Sequence, residues 1–150
     1  MGPDALAHAP LFTVQYYLDP TFTTPVKQSV TPLIDFDLNT EKGTNVPDST
    51  VKMPEEHWSV RWTGTIVAPQ TGDYTFTADG DNRVKVIVDG HTIIDKTEAP
   101  RSAVTGSAPL NAGQAVPVQV DYVHDTGPSS LHIDWEGPGV DKQALTPAAR

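Results

Sequence analysis

The sequence predicts an all-β fold, an antiparallel sandwich with long loops and little or no helix, and three observations carry that expectation. Large apolar residues recur at every second position in several short runs, the spacing that lets a strand bury one face and wet the other. Fourteen prolines and eleven glycines fall between those runs rather than in one tract, so they punctuate many short strands. No window of eleven or more residues carries a helical period, and at most one short turn of helix fits between Gln143 and Ala149.

Taken in order, residues 1–10 are small or polar and read as a linker or disordered terminus, with the domain proper at 11–150. Phe12, Val14 and Tyr16 line one face of a first strand, which forces Tyr17 to the opposite side, outward or under a loop. Ile34, Phe36 and Leu38 line a second, with Asp35 and Asp37 turned away. Residues 39–56 form a long polar loop. Trp58, Val60 and Trp62 then begin a strong strand, Ala68 to Asp73 is a turn, and Tyr74, Phe76 and Ala78 resume the alternation. Val84, Val86 and Val88 lead into Asp89-Gly90, the two-residue hairpin signal of a type I′ turn, and on to Ile93 and Ile94. Residues 95–109 read as irregular, because small residues dominate there. Val116, Val118, Val120 and Tyr122 mark another strand; Pro117 lacks an amide hydrogen, which predicts an edge position or a bulge. The loop 124–130 then leads to Leu131, Ile133 and Trp135. Trp58, Trp62 and Trp135 all fall on apolar alternations and are expected in the core.

Composition narrows the function. A net charge of -9 with only ten dispersed basic residues argues against nucleic acid, whose phosphates need clustered Lys and Arg. The acidic surface suits neutral partners and cations. No cysteine is present, so there is neither a disulfide framework nor a thiol nucleophile. No stretch reaches the roughly 18 apolar residues of a membrane-spanning helix, so membrane insertion is not expected, and residues 1–4 lack the pattern of a signal peptide. No G-x-S-x-G, H-E-x-x-H or phosphate-cradling motif occurs, and the expectation is a domain without catalytic residues.

Several ordered pieces resemble the PA-fourteen domain, a β-sandwich module named after anthrax protective antigen and found in glycosidases, adhesins and other extracellular proteins. They are Ser59-Val60-Arg61-Trp62-Thr63-Gly64, Gly72-Asp73-Tyr74-Thr75-Phe76, Arg83 before an apolar strand, Val88-Asp89-Gly90 before Ile93-Ile94-Asp95, and Leu110-Asn111-Ala112-Gly113. Phe12 to Tyr17 resembles the opening strand and Leu131 to Trp135 the closing one. The resemblance implies a jelly-roll-like sandwich and an extracellular or periplasmic parent. It also implies a non-catalytic accessory role, most like the module inserted in β-glucosidases of glycoside hydrolase family three, with carbohydrate of β-glucan or oligosaccharide type and neighbouring domains as partners. An autonomous lectin-like adhesin domain and a structural or assembly module are the alternatives.

The polar cluster that draws attention is Asp79-Gly80-Asp81-Asn82, with His124 and Asp125 in a later loop. These give the carbohydrate-binding candidates Asp79, Asp81, Asn82, His124 and Asp125. Asp79, Asp81 and Asp125 are the candidate metal ligands, since calcium takes carboxylate oxygens. In sugar-binding adhesins of the family the corresponding loop carries two adjacent aspartates that hold calcium. Gly80 stands where the second aspartate would be, so calcium is left open, and a turn needing Gly, Asp and Asn explains the same residues.

Overall fold

A computed structural model describes residues 11–37, 56–97, 102–127 and 129–148. Among the described residues eleven strands form two stacked antiparallel sheets: β1 (Phe12–Tyr17), β2 (Pro25–Thr31), β3 (Asp35–Asp37), β4 (Trp58–Val67), β5 (Gly72–Gly80), β6 (Arg83–Val88), β7 (His91–Lys96), β8 (Ser102–Leu110), β9 (Ala115–His124), β10 (Ser130–Gly137) and β11 (Val140–Ala144). One sheet has the order β2-β1-β4-β9-β6-β7, the other β11-β10-β5-β8 with β3 also paired to β10. There is no helix among the described residues.

The alternations become the core. Phe12, Val14 and Tyr16 of β1 and Trp58, Val60 and Trp62 of β4 point inward from the six-stranded sheet, and Tyr74, Phe76, Leu131, Ile133 and Trp135 meet them from the other layer. All three tryptophans are buried, and Tyr17 lies outward beneath a loop, edge-on to Phe22 with ring centroids 5.4 Å apart. The hairpin β6–β7 turns at Asp89 and Gly90 with φ of 51° and 79°, as a type I′ turn requires.

Three expectations need correction. Residues 102–110 are not irregular: they form β8, paired with β5 along its length. The small residues are there because β7 packs on this strand, and a Cβ at Gly106 would collide with the carbonyl oxygen of Ile93. Pro117 sits in a central strand, between β4 and β6. Its missing amide is harmless because it lies one residue past the last β6 pair, Val88 with Val118, where only the turn amide of Asp89 reaches its carbonyl. The stretch from Gln143, where at most one short helical turn fits, holds none among the described residues: Gln143 lies in β11, then Leu145 bonds through its amide to Ile133 O on one sheet and Ala148 to Thr65 O on the other. The strand expected from Ile34 is reduced to Asp35–Asp37, and Leu38 lies outside the described residues, as do residues 1–10. β2 has no counterpart in the sequence reading. It is an edge strand exposed along both faces, so no alternation marks it.

Candidate functional site

β5 and β6 are joined by Asp81 and Asn82, and Asn82 takes the left-handed conformation, φ 68°, that a tight turn needs. Neither side chain points to solvent. Asp81 is 7% exposed and Asn82 1%. The Asp81 carboxylate accepts from Ser130 Oγ at 2.6 Å, and its amide donates to Ser130 O at 3.0 Å. Asn82 Oδ1 accepts from the Asp125 amide at 3.2 Å, its Nδ2 donates to the Tyr122 hydroxyl at 3.4 Å, and its carbonyl accepts from Lys96 Nζ. Burial pushes the Tyr122 hydroxyl up to about 12, so it stays protonated as a donor and acceptor in the network.

The β9–β10 loop forms the other lip. Arg83 clasps Asp125 with two parallel bonds, Nε to Oδ2 at 2.8 Å and Nη2 to Oδ1 at 2.9 Å. The hydrogen bond with Asp125 raises the Arg83 guanidinium further above its ordinary value. His124 is fully buried, with Nε2 2.8 Å from Gly127 O and its ring 4.7 Å from that of Trp58. Among the described residues, His124 Nδ1 and Trp58 Nε1 have no hydrogen-bond partner. Burial therefore pulls the imidazole below its ordinary value.

Asp79 is placed elsewhere. It lies on the outer side of the five-stranded sheet, in register with His132 on β10. That histidine bridges Asp35 (Nδ1, 3.2 Å) and Asp134 (Nε2, 2.6 Å). The structure thus brings Asp81, Asn82, His124 and Asp125 into one rim and leaves Asp79 out of it. Among the described residues no three His, Asp or Glu side chains are arranged to hold a metal ion. The donor set does not fit calcium on its own terms either. Asp81 is engaged by Ser130, a lysine ammonium already sits on the Asn82 carbonyl, and a side chain at Gly80 would collide with Ser130 O.

Sequence reading missed Lys96, which is 5% exposed although charged. The signal was present: Lys96 follows Ile94 at strand spacing and so belongs to the inward face. It also missed the β1–β2 loop, which crosses the outer side of the six-stranded sheet. Asp19 organises this loop, accepting from the amide and hydroxyl of Thr21 (3.0 and 2.5 Å), those of Thr23 (3.1 and 2.7 Å) and the Thr24 amide (2.7 Å). The hydroxyls of Thr21 and Thr23 hold the Asp19 carboxyl well below the usual carboxylate range. Ser59 Oγ anchors the loop by donating to Asp19 O at 2.7 Å. Phe22 has φ 60° and lies under the Arg61 guanidinium, 4.6 Å from ring centre to Cζ. Arg61 in turn pairs with Asp121, Nε to Oδ1 at 2.8 Å.

Beside this loop lies a cavity of about 380 Å³, floored by β9, β6 and β7 and walled by Pro20 to Phe22. A second, of about 330 Å³, opens where Tyr16, Trp62 and Phe36 meet Ser29 and Asp35 near β2.

The profile of the PA14 domain family matches residues 14–147. The chain is 29% identical over 133 residues to the anti-sigma-I factor RsgI3 of Acetivibrio thermocellus, covering 87% of this chain and 20% of that protein. Among solved structures, an anti-sigma factor domain-containing protein from Clostridium clariflavum superposes with a TM-score of 0.78 at 27% identity, over 92% of this chain and 46% of that one. A PA14 sugar-binding domain from an RTX adhesin superposes with a TM-score of 0.71 at 16% identity, over 93% and 99%. The chain therefore spans about a fifth of the curated relative and less than half of the anti-sigma factor structure.

Proposed function

We propose that this chain, which belongs to the PA14 domain family, is a non-catalytic carbohydrate-binding accessory module of a larger extracellular protein. The observation that carries this reading is the fixed rim. Asn82 is bonded to Lys96, Tyr122 and Asp125, and Asp81 beside it is bonded to Ser130 across the rim, so the loops at this end of the sandwich hold one shape before any ligand arrives. A preorganised surface loses little freedom on binding, which is what a weak, shape-selective contact with a sugar requires. The candidates Asp79, Asp81, Asn82, His124 and Asp125 act here mainly as the frame: buried Asp81, Asn82 and His124 and half-buried Asp125 hold the loops, and Asp79 faces the other side.

The 29% identity to a protein named as an anti-sigma-I factor favours a second setting over the β-glucosidase one, in which the module serves as the ligand-sensing part of a regulatory chain. Both settings require the same binding activity. Calorimetry of the chain with glucose, cellobiose and longer glucans, with and without a chelator, tests it. Expected is a dissociation constant on the order of millimolar, about -4 kcal/mol, unaffected by chelator. Micromolar, chelator-sensitive affinity would instead support the adhesin-like, calcium-assisted reading. No heat with any sugar at concentrations well above millimolar would refute carbohydrate binding.

A further inference from the structure

We propose that the cavity on the outer side of the six-stranded sheet is a binding subsite for a neutral pyranose, a reading that rests on the carbohydrate function above and locates it beside the Asp81 and Asp125 rim, with which it shares Arg83 and Lys96. The wall comes first. A bulky residue in the left-handed region is strained, and it persists only where the surroundings hold it there. At Phe22 they do: Asp19 collects five donors, Ser59 anchors the loop to β4, and Arg61 and Tyr17 grip the ring. The result is a rigid apolar edge standing over the sheet.

The floor is a single cross-strand row. Register places Arg61, Asp121, Lys85 and Asp95 side by side on β4, β9, β6 and β7. The first two are spent on each other, and Arg83 next to them is spent on Asp125. Lys85 and Asp95 make no side-chain hydrogen bond or ion pair among the described residues, although each lines the cavity. An ammonium beside a carboxylate offers donors and acceptors at the spacing of neighbouring strands, and adjacent sugar hydroxyls both donate and accept. Thr97 adds a hydroxyl group, and Val123 with Phe22 supplies apolar surface for the ring carbons. Mixed charge selects against ions: an anion meets Asp95 and Asp121, a cation meets Lys85 and Arg83. The volume of about 380 Å³ lies in the range of small-ligand pockets.

Amide NMR titrations of the isotopically labelled chain with methyl glucoside, methyl galactoside, cellobiose and glucuronate test the assignment. The expected result is sugar-dependent shifts clustered at Phe22, Lys85 and Asp95. Asp95→Asn and Lys85→Met should each weaken binding by about tenfold or more, with unchanged melting because both side chains are exposed and unpaired. Shifts clustered instead at Asp79 and His132 on the other sheet, or affinity indifferent to both substitutions, overturn this subsite and leave carbohydrate binding standing. Tighter binding of glucuronate, lost with Lys85→Met, overturns the choice of a neutral sugar. No shift with any member of the panel overturns both this subsite and the function it rests on.

Discussion

Trp62→Ala is the substitution whose cost follows most directly from the sandwich. The indole is 3% exposed, on the inner face of β4, opposite Val14 of β1 and Val120 of β9, and it stacks on Phe36 at 6.1 Å with an interplanar angle of 21°. Truncation removes buried apolar surface and leaves a cavity that flanking strands cannot close, since both are pinned by ladder hydrogen bonds. Such replacements cost about 3 to 5 kcal/mol. For a chain of this length each kcal/mol moves the melting temperature by about 2 to 4 °C, so the expected fall is roughly 6 to 20 °C. Trp62→Phe retains part of the stacking and should cost less. Circular dichroism melts of the three proteins decide the matter. A Trp62→Ala melt within about 2 °C of the parent would show that this face is not the core, and the inward assignment of the β4 alternation would fall with it.

Protonation of His124 offers a second test. Burial lowers its folded value below the ordinary 6.5, against the pull of the Gly127 carbonyl, Glu56 and Asp125 and in the same direction as His57. Stability is therefore complete above 6.5, where both states are neutral, and falls as pH drops toward and through the folded value, because the unfolded chain takes the proton first. Melts between pH 7.5 and 5 should show this slope, and His124→Gln should flatten it. A parent whose stability is constant over that range contradicts the burial argument. Gly80→Ala should destabilise by about 1 to 3 kcal/mol, the usual cost of overpacking, because the new methyl meets the Ser130 carbonyl; denaturant midpoints check this, and a neutral result would mean β5 and β10 can part there. Asp19→Asn should loosen the β1–β2 loop, since an amide oxygen cannot serve five donors. Faster hydrogen exchange at the Thr23 and Thr24 amides is the expected sign, and unchanged protection would show that the carboxylate does not hold the wall.

What was legible in the chain depended on where its residues face. β1, β4, β5, β6 and β10 were readable because each has one face buried and one wet, so Trp58, Val60 and Trp62 or Tyr74, Phe76 and Ala78 print the pleat directly into the sequence. β2 is exposed on both faces, and β8 presents Gly106 and Ala108 inward because β7 crowds it; neither leaves an alternation of large residues. The site was half legible for a related reason. Asp81, Asn82 and Asp125 were singled out as short polar residues in turns, which is correct about position and silent about direction. Whether such a side chain points at a ligand or back at Ser130 and Tyr122 depends on strands distant in sequence. The Asp19 loop, by contrast, carries a local signature that could have been read: an aspartate followed at two, four and five residues by threonines is the pattern by which a carboxylate ties its own downstream backbone.

Lys96 decides what kind of rim this is. A turn built from an aspartate, an asparagine and a backbone carbonyl outside the strand ladders gathers oxygen atoms, and gathered oxygens attract a cation. Here the cation is a side chain of the same polypeptide: the ammonium reaches from the end of β7 to the Asn82 carbonyl while its stem lies inward of the sheet, beside Val84 in register. A metal ion would couple loop geometry to ion concentration, whereas a tethered ammonium arrives with folding. The same tether has a cost, because a nearly buried charge must keep its partners or lose several kcal/mol of solvation. Arg83 and Asp125, clasped next to Asn82, keep the neighbouring loop in place so that the carbonyl stays where the ammonium needs it. The charge on these oxygens is thus fixed within the fold, and on the adjoining floor Lys85 and Asp95, which have no side-chain partner among the described residues, are the couple that the proposed subsite offers to a ligand.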